Sequence, residues 1–189
     1  PSATIWHRQS HCRPRSDETS RSHSALVSIA VLPLDNLSGD PEQEPFADGL
    51  TVELITTLAK IEGLRTISPR SMMRFKASEE PLVEIAQQLA VGYVVDGSVL
   101  QADGQVRITV NLIEPSTEAS IWGKSFTHTL GDMLALQSEV ALAIAREVEV
   151  TLTPDDEARL AKAPAVNPEA YNLYLMGRLW KTRWHWDWA

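Results

Sequence analysis

The sequence predicts an α/β domain: a mixed sheet of about five strands with packed helices, in the order β-α-β-α-β-β-β-α, plus a C-terminal helical extension. Three observations predict it. The run ALVSIAVLPL (25–34) is short, β-branched and nearly all apolar, as expected for a strand covered on both faces. Phe46, Leu50, Leu54, Leu58 and Ile61 then recur at four, four, four and three residues, which is one stripe of an α-helix that Ile55 widens. Three extended runs, GYVVDGSVLQ, QVRITVNLIE and ASIWGKSFTH, follow each other across compact turns and make an antiparallel meander.

Residues 1–25 precede this pattern. They are polar, unpatterned and rich in Ser, Arg and His, with too little apolar surface to offset the entropy of ordering, and read as a disordered lead-in. His7, His11, Cys12 and His23 fit no familiar zinc spacing. The first residue is Pro rather than Met, which suggests a fragment or a processed product.

The domain proper spans 26–152. Its first helix ends at Gly63, and LRTIS resumes an extended segment. Ser68 before Pro69 suits the cap of a short helical turn through SMMRF. PLVEIAQQLAV places Pro81 in a first turn and Leu82, Ile85, Ala86 and Leu89 on one face, so it is the second helix. In the meander, Val106, Ile108, Val110 and Leu112 alternate with Arg107, Thr109 and Asn111, and ADG (102–104) and PSTE (115–118) supply the turns. A third helix is expected from about Leu130 to Leu152, carrying Leu134, Val140, Ala141, Ile144 and Val148.

Residues 153–166 read as a brief acidic helix, capped by Thr153 and opened by Pro154, then an Ala- and Pro-containing linker. Asn167 and Pro168 start the last helix, PEAYNLYLMGRLW, so 167–189 read as the truncated start of a helical region. The Trp-rich close suits a helical unit whose partners lie elsewhere, since one repeat helix cannot bury its own face.

Bulk properties narrow the function classes. The chain has 189 residues and 43% hydrophobic residues, enough for one ordinary core. Its 17 basic and 25 acidic residues give −8, a balance that argues against direct nucleic-acid binding, which needs clustered Lys and Arg. One cysteine excludes an internal disulfide and a cysteine-rich metal site. No apolar run approaches the roughly 20 residues that span a bilayer.

The densest stretch is LPLDNLSGDPEQEPFADGL (32–50). It lacks the Gly spacing and Lys of a phosphate-binding loop, and no register supplies the calcium-loop positions, since Leu37, Pro45 and Thr51 fall where ligands or Gly are needed. Asp40, Glu42, Glu44 and Asp48 instead crowd the start of a helix, where the macrodipole favours negative charge, and Asp40 before Pro41 suits a cap. The stripe behind it contributes roughly 7–15 kcal/mol of burial before entropy, reason enough for its residues without catalysis. No catalytic, cofactor or metal residue is assigned.

VLPLDNLSGDPEQEPFADGLTVELITTLAKIEGLRTI, SMMRFK, YVVDGSV, VRITVNLIE and ALQSEVALAIA together resemble the TolB amino-terminal-like domain and the related FlgO-like modules, in order through about 27–152. NPEAYNLYLMGRLW resembles the helix that opens a tetratricopeptide array in such proteins. Leu34 and Pro45 replace aromatics of that family, Ala90 stands where Gly usually ends the second helix, and EPSTEAS lacks a turn Gly. The resemblance implies a non-catalytic sensory or protein-interaction module of a bacterial signalling protein, linking an output domain to tetratricopeptide repeats. The alternative is a fragment of a class III adenylate/guanylate cyclase, or of a winged-helix transcription regulator, whose output domain lies upstream. A protein partner or small ligand is expected, with Asn36, Ser38, Asp40 and Asp48 as candidate contacts. The compartment, bacterial cytoplasm or periplasm, depends on what precedes the chain.

Overall fold

The computed structural model describes residues 26–161 and 164–183, with side chains through Trp180. The expectations for the lead-in, including His7, His11, Cys12 and His23, and for the final Trp-rich residues 184–189 lie outside the described residues.

The fold is α/β, with strands β1 (Val27–Val31), β2 (Asp35–Asn36), β3 (Leu64–Thr66), β4 (Tyr93–Ala102), β5 (Gln105–Glu114) and β6 (Ala119–Thr129). The helices are α1 (Glu44–Leu58), α2 (Pro69–Met72), α3 (Leu82–Leu89), α4 (Met133–Glu147), α5 (Pro154–Ala161) and α6 (Pro168–Arg183). The sheet order is β3-β1-β4-β5-β6, with β2 also on β4. β1 runs parallel to both neighbours (Val27↔Leu64, Ile29↔Tyr93), while β4, β5 and β6 are antiparallel (Val99↔Ile108, Ile108↔Phe126).

Topology distributes the helices. The β1–α1–β3 crossover and the return from β3 to β4 travel in opposite directions, so right-handed connections put α1 and α3 on opposite faces. α4 returns to pack on α1 and on β5 and β6, and the row Val95, Val99, Val106, Ile108, Val110 and Leu112 on one face of the meander belongs to the same core. The other face is apolar at Ala30 and Val94, near α3, and turns polar along the meander at Ser98, Thr109 and Ser125.

Two elements differ from expectation. Among the described residues the sheet has six strands instead of about five, because β2 adds a two-residue rung on β4 (Asp35↔Ser98, Asn36↔Val99), too short for any alternation to show in sequence. α1 is not amphipathic in the ordinary sense: from Phe46 to Leu58 every residue except Thr56 is buried. The sheet and α4 take one side, and α6 covers another. α1 ends at Leu58 rather than Ile61, and a tightened turn (Ile61 N donating to the Leu58 carbonyl, 3.0 Å) still carries Ile61 into the core.

The third expected helix is shorter than 130–152. A 3-10 turn covers Leu130–Asp132, α4 ends at Glu147, and Glu149 then takes a positive φ of 57°. Its inward side is Met133, Leu136, Gln137, Val140, Ala141, Ile144 and Ala145, with Leu134 part-exposed. Ser68 caps α2 through its hydroxyl, and Asn167 Oδ1 accepts from Ala170 N (3.0 Å) at the start of α6. Thr153 and Asp156 form a reciprocal capping box on α5: Asp156 N donates to Thr153 Oγ1 and Thr153 N donates to Asp156 Oδ2, each at 3.1 Å.

Ala90 leaves α3 in the left-handed region (φ 51°, ψ 54°), so the backbone makes the exit that Gly makes without a Cβ penalty. Ala90→Gly is therefore expected to raise stability by about 1 kcal/mol, measured as a higher midpoint of urea unfolding with an unchanged slope.

Candidate functional site

The acidic segment folds as a closed loop leading into α1. Asn36 organises it: its Nδ2 donates to the Asp40 carbonyl (2.8 Å), and its Oδ1 accepts from Ser38 N (3.0 Å) and Ser38 Oγ (2.6 Å). Asp40 N donates to Ser38 Oγ (3.1 Å), and Glu42 N donates to Asp40 Oδ1 (2.9 Å), which caps the 3-10 turn that opens the helix. Leu37 N donates to the Val99 carbonyl (2.9 Å), so the loop tip is stitched to the sheet through β2 and the residue after it. Gly39 supplies the turn at φ 74°. Every one of these bonds is short-range or sheet-based, which makes the loop rigid before it meets anything.

The four candidate contacts separate. Asn36, Ser38 and Asp40 sit together, each part-exposed, in this loop. Asp48 does not join them at the surface: it is 2% exposed on α1 and its carboxylate is bound by Lys76 Nζ. The same Nζ lies 2.6 Å from Glu44 Oε1, and this hydrogen bond holds the Glu44 carboxyl below its usual range. The start of α1 is thus fastened to the loop after α2 by one ammonium shared between two carboxylates. Sequence reasoning missed Lys76, because nothing in the spacing of residues 48 and 76 links them; the signal was the burial that α1 imposes on Asp48.

Leu37 was also missed. It is 61% exposed, held between Asn36 and Ser38 by the bonds above. An apolar side chain displayed on a rigid polar loop loses little entropy when a partner covers it. Its signal was legible as the one large apolar residue inside DNLSGD.

Behind the loop, Asp96 on β4 faces Asn111 across the ladder, on the open face of the sheet. Burial pushes its carboxyl above the usual range, with the nearby charge of Asp35 adding to the effect and a hydrogen bond from Gly97 opposing it. A raised folded-state value means that folding favours the protonated acid. Stability is then lost as pH rises from the unfolded value of about 3.8 through the folded one. Asp96→Asn, which cannot ionise, is expected to melt a few degrees higher than the parent at pH 7 and to show no advantage at pH 3; thermal scans at both values check this.

His128 Nε2 lies 2.9 Å from Glu139 Oε2, an exposed pair tying β6 to α4. Among the described residues, no group of three or more His, Cys, Asp or Glu is placed to hold a metal ion, and no helix is long and apolar enough to cross a membrane.

α6 belongs to the same body. Tyr171, Leu175 and Leu179 are buried, Tyr174 Oη donates to Glu53 Oε1 (3.1 Å), and Arg178 reaches Glu53 (2.6 Å) and Thr56 Oγ1 (2.9 Å) on α1. Gln137 on α4 donates to the Tyr171 hydroxyl, and burial raises that phenol far above its usual range.

Comparison with known proteins shows a family for this chain. The family model for the second domain of HilA/YgeH-like transcriptional regulators matches residues 24–143. A protein of Rhizobium meliloti (strain 1021) named "Putative adenylate cyclase 3" is 40% identical over 154 residues, which is 82% of this chain and 26% of that protein. The chain therefore spans about a quarter of the length of the curated relative it matches. Among solved structures, lipoprotein GNA1162 from Neisseria meningitidis superposes with a TM-score of 0.46 at 14% identity, over 66% of this chain and 99% of that one. TolB from Acinetobacter baumannii gives 0.46 at 14% identity over 67% and 29%. The LpoB C-terminal domain from Salmonella enterica gives 0.44 at 17% identity over 58% and 87%.

Proposed function

The chain belongs to the family of HilA/YgeH-like transcriptional regulator second domains, and on that premise we propose that it is a non-catalytic interaction module of a bacterial signalling protein. In this reading it joins an output domain to tetratricopeptide repeats and binds a protein partner or small ligand through the loop Asp35–Asp40. One observation carries the reading: the Asn36 and Ser38 side chains bond each other and the Asp40 backbone, the Asp40 carboxylate caps Glu42 N, and the loop they fix displays Leu37 at 61% exposure. A loop whose side chains are consumed in holding its own shape suits recognition rather than proton transfer or nucleophilic attack.

A second reading concerns the parent protein. The 40% identity to a protein named as an adenylate cyclase favours a cyclase output domain, while the family name favours a transcription regulator. Both leave the present domain as the non-catalytic part. The reading frame upstream separates them: a cyclase core supports the first and a winged helix the second.

The test of the loop is a capture from bacterial lysate with the whole chain as bait, beside an Asn36→Ala/Leu37→Glu variant. A partner held by the parent and lost by at least tenfold with the variant is the expected outcome, or else a ligand-induced melting shift that the variant abolishes. Equal capture by both chains, or no partner and no shift, counts against the loop.

A further inference from the structure

We propose that the open face of the meander, beside the loop Asp35–Asp40, receives a basic segment of a protein partner, one that carries Lys or Arg next to an apolar anchor. The proposal rests on the loop reading and names the chemistry of the partner.

The meander turns one face to the core and the other away from it. Parity along the ladder sets Asp96, Ser98 and Leu100 of β4 on the outward face, with Thr109 and Ser125 in the row of Ser98. Residues paired across a parallel rung share a face, so Asp35, opposite Ser98, stands there too. The bond from Leu37 N to the Val99 carbonyl carries that rung one residue further and sets Leu37 next to Leu100. Past α3 the face is open: Ser98 and Thr109 are half-exposed, and Ser125 is exposed.

Two features separate this face from an ordinary solvated sheet. The first is apolar. Leu37 is 61% exposed and Leu100 half-exposed, and neither belongs to the core. The second is charge. Asp35 is exposed and Asp96 half-buried, and the two lie close enough for one charge to act on the other. Among the described residues, no Lys or Arg forms an ion pair with either carboxylate. Arg107, across from Leu100 on β5, turns toward β6, where its Nε donates to Thr127 Oγ1 (3.4 Å). On the same side of the sheet, α3 contributes Glu84 and no basic residue, and Glu80 accepts from Gln88 beside it.

These features say what covers the face. A half-buried carboxylate next to a like charge burdens the free domain, and a cation brought by a partner relieves both groups at once. A sheet face has no walls to enclose a small molecule, which favours a polypeptide. Three strands spaced about 4.8 Å apart make a strip about 10 Å wide, the width of one segment of chain. Leu37 and Leu100 then hold the apolar side chain, and Asp35 and Asp96 hold the cation.

Fluorescence anisotropy of the whole chain with labelled peptides of about 12 residues tests it at about 0.1 M salt. A peptide alternating Lys and Leu is expected to bind with Kd below about 100 µM, a Lys–Ser peptide about tenfold more weakly or worse, and a Glu–Leu peptide not at all. Asp35→Asn/Asp96→Asn weakens the Lys–Leu peptide about tenfold or more, with a thermal melt no lower than the parent's. Glu147→Gln/Asp155→Asn, the same change of net charge on the helical side, stays within about twofold. No binding by the Lys–Leu peptide overturns the proposal. So does equal binding by the Lys–Ser peptide, or an equal loss in the two charge variants, since either means attraction by net charge alone. Asp96→Asn/Leu100→Ser leaves Asp35–Asp40 intact and is expected to lose the peptide. If it binds at full strength, the face is overturned while the loop reading stands, and that reading is decided separately by capture with the Asn36→Ala/Leu37→Glu chain.

Discussion

Lys76→Met is expected to lower stability by about 3 kcal/mol, measured by urea unfolding, and to leave the chain folded at room temperature. The cause is the buried carboxylate that loses this charged partner. Asp48 is 2% exposed, and Lys76 supplies an opposite charge directly on its carboxylate inside α1. Removing one partner of a buried pair typically costs about 3–5 kcal/mol, and the lower figure applies because the Lys76 side chain is itself 27% exposed, so water can approach. Glu44 worsens the imbalance, since its carboxylate lies on the same ammonium and would face Asp48 as a like charge. Asp48→Asn added to Lys76→Met should recover more than half of the loss, because it deletes the buried charge rather than its partner. The pH dependence has a definite sign. Lys76 depresses the Glu44 value, so the bond stabilises fully above about 4.5 and the contribution fades as pH falls through the lower folded-state value. The gap between parent and variant therefore narrows in acid. A loss below 1 kcal/mol at pH 7 would mean that the contact is a surface ion pair of ordinary worth.

This interaction also marks where sequence reading ends. The entry into α1 was legible because capping is local: Asp40, Pro41 and the carboxylates lie within one turn of each other, and their chemistry fixes the geometry. Alternation in β5 and the stripe residues of α1 were legible for the same reason, since periods of two and 3.6 act over neighbouring residues. Lys76 joins Asp48 across 28 positions, and the chain between them carries no pattern that aims one at the other. β2 was hidden because two residues cannot show a period. Ala90 shows that residue type alone does not decide such a turn: the left-handed exit is made there by Ala, where Gly would make it without a Cβ penalty. The exposure of Leu37, by contrast, needed no fold to foresee, only the question of why a Leu sits in an otherwise polar loop.

Gly49 offers the sharpest test of how α6 is joined to the domain. It lies inside α1, where Gly is about 1 kcal/mol worse than Ala for the helix itself. A Cβ built on it would stand 2.7 Å from Leu175 Cβ, 3.0 Å from the Leu175 carbonyl oxygen and 3.1 Å from its carbon. These atoms are the backbone of α6 and the root of its side chain, so relief requires moving the helix rather than rotating a flexible tip. Overpacking of this kind typically costs about 1–3 kcal/mol, and it acts against the propensity gain. Gly49→Ala is therefore expected to lose about 1 kcal/mol net, and Gly49→Leu about 3 kcal/mol, with the loss located in α6. Hydrogen exchange should show Tyr171–Leu179 unprotected in the Leu variant while β4, β5 and β6 keep their protection. The Glu53 bonds to Tyr174 and Arg178 break with it, since they depend on the same approach of α6 to α1. The sign of the Ala substitution depends on α6 being there. In a chain ending at Ala161, Gly49→Ala has no Leu175 to strike, so it should stabilise by up to about 1 kcal/mol through helix propensity alone. A destabilising effect in both lengths would mean that the glycine serves α1 itself, and that α6 rests on the domain without close contact at this position.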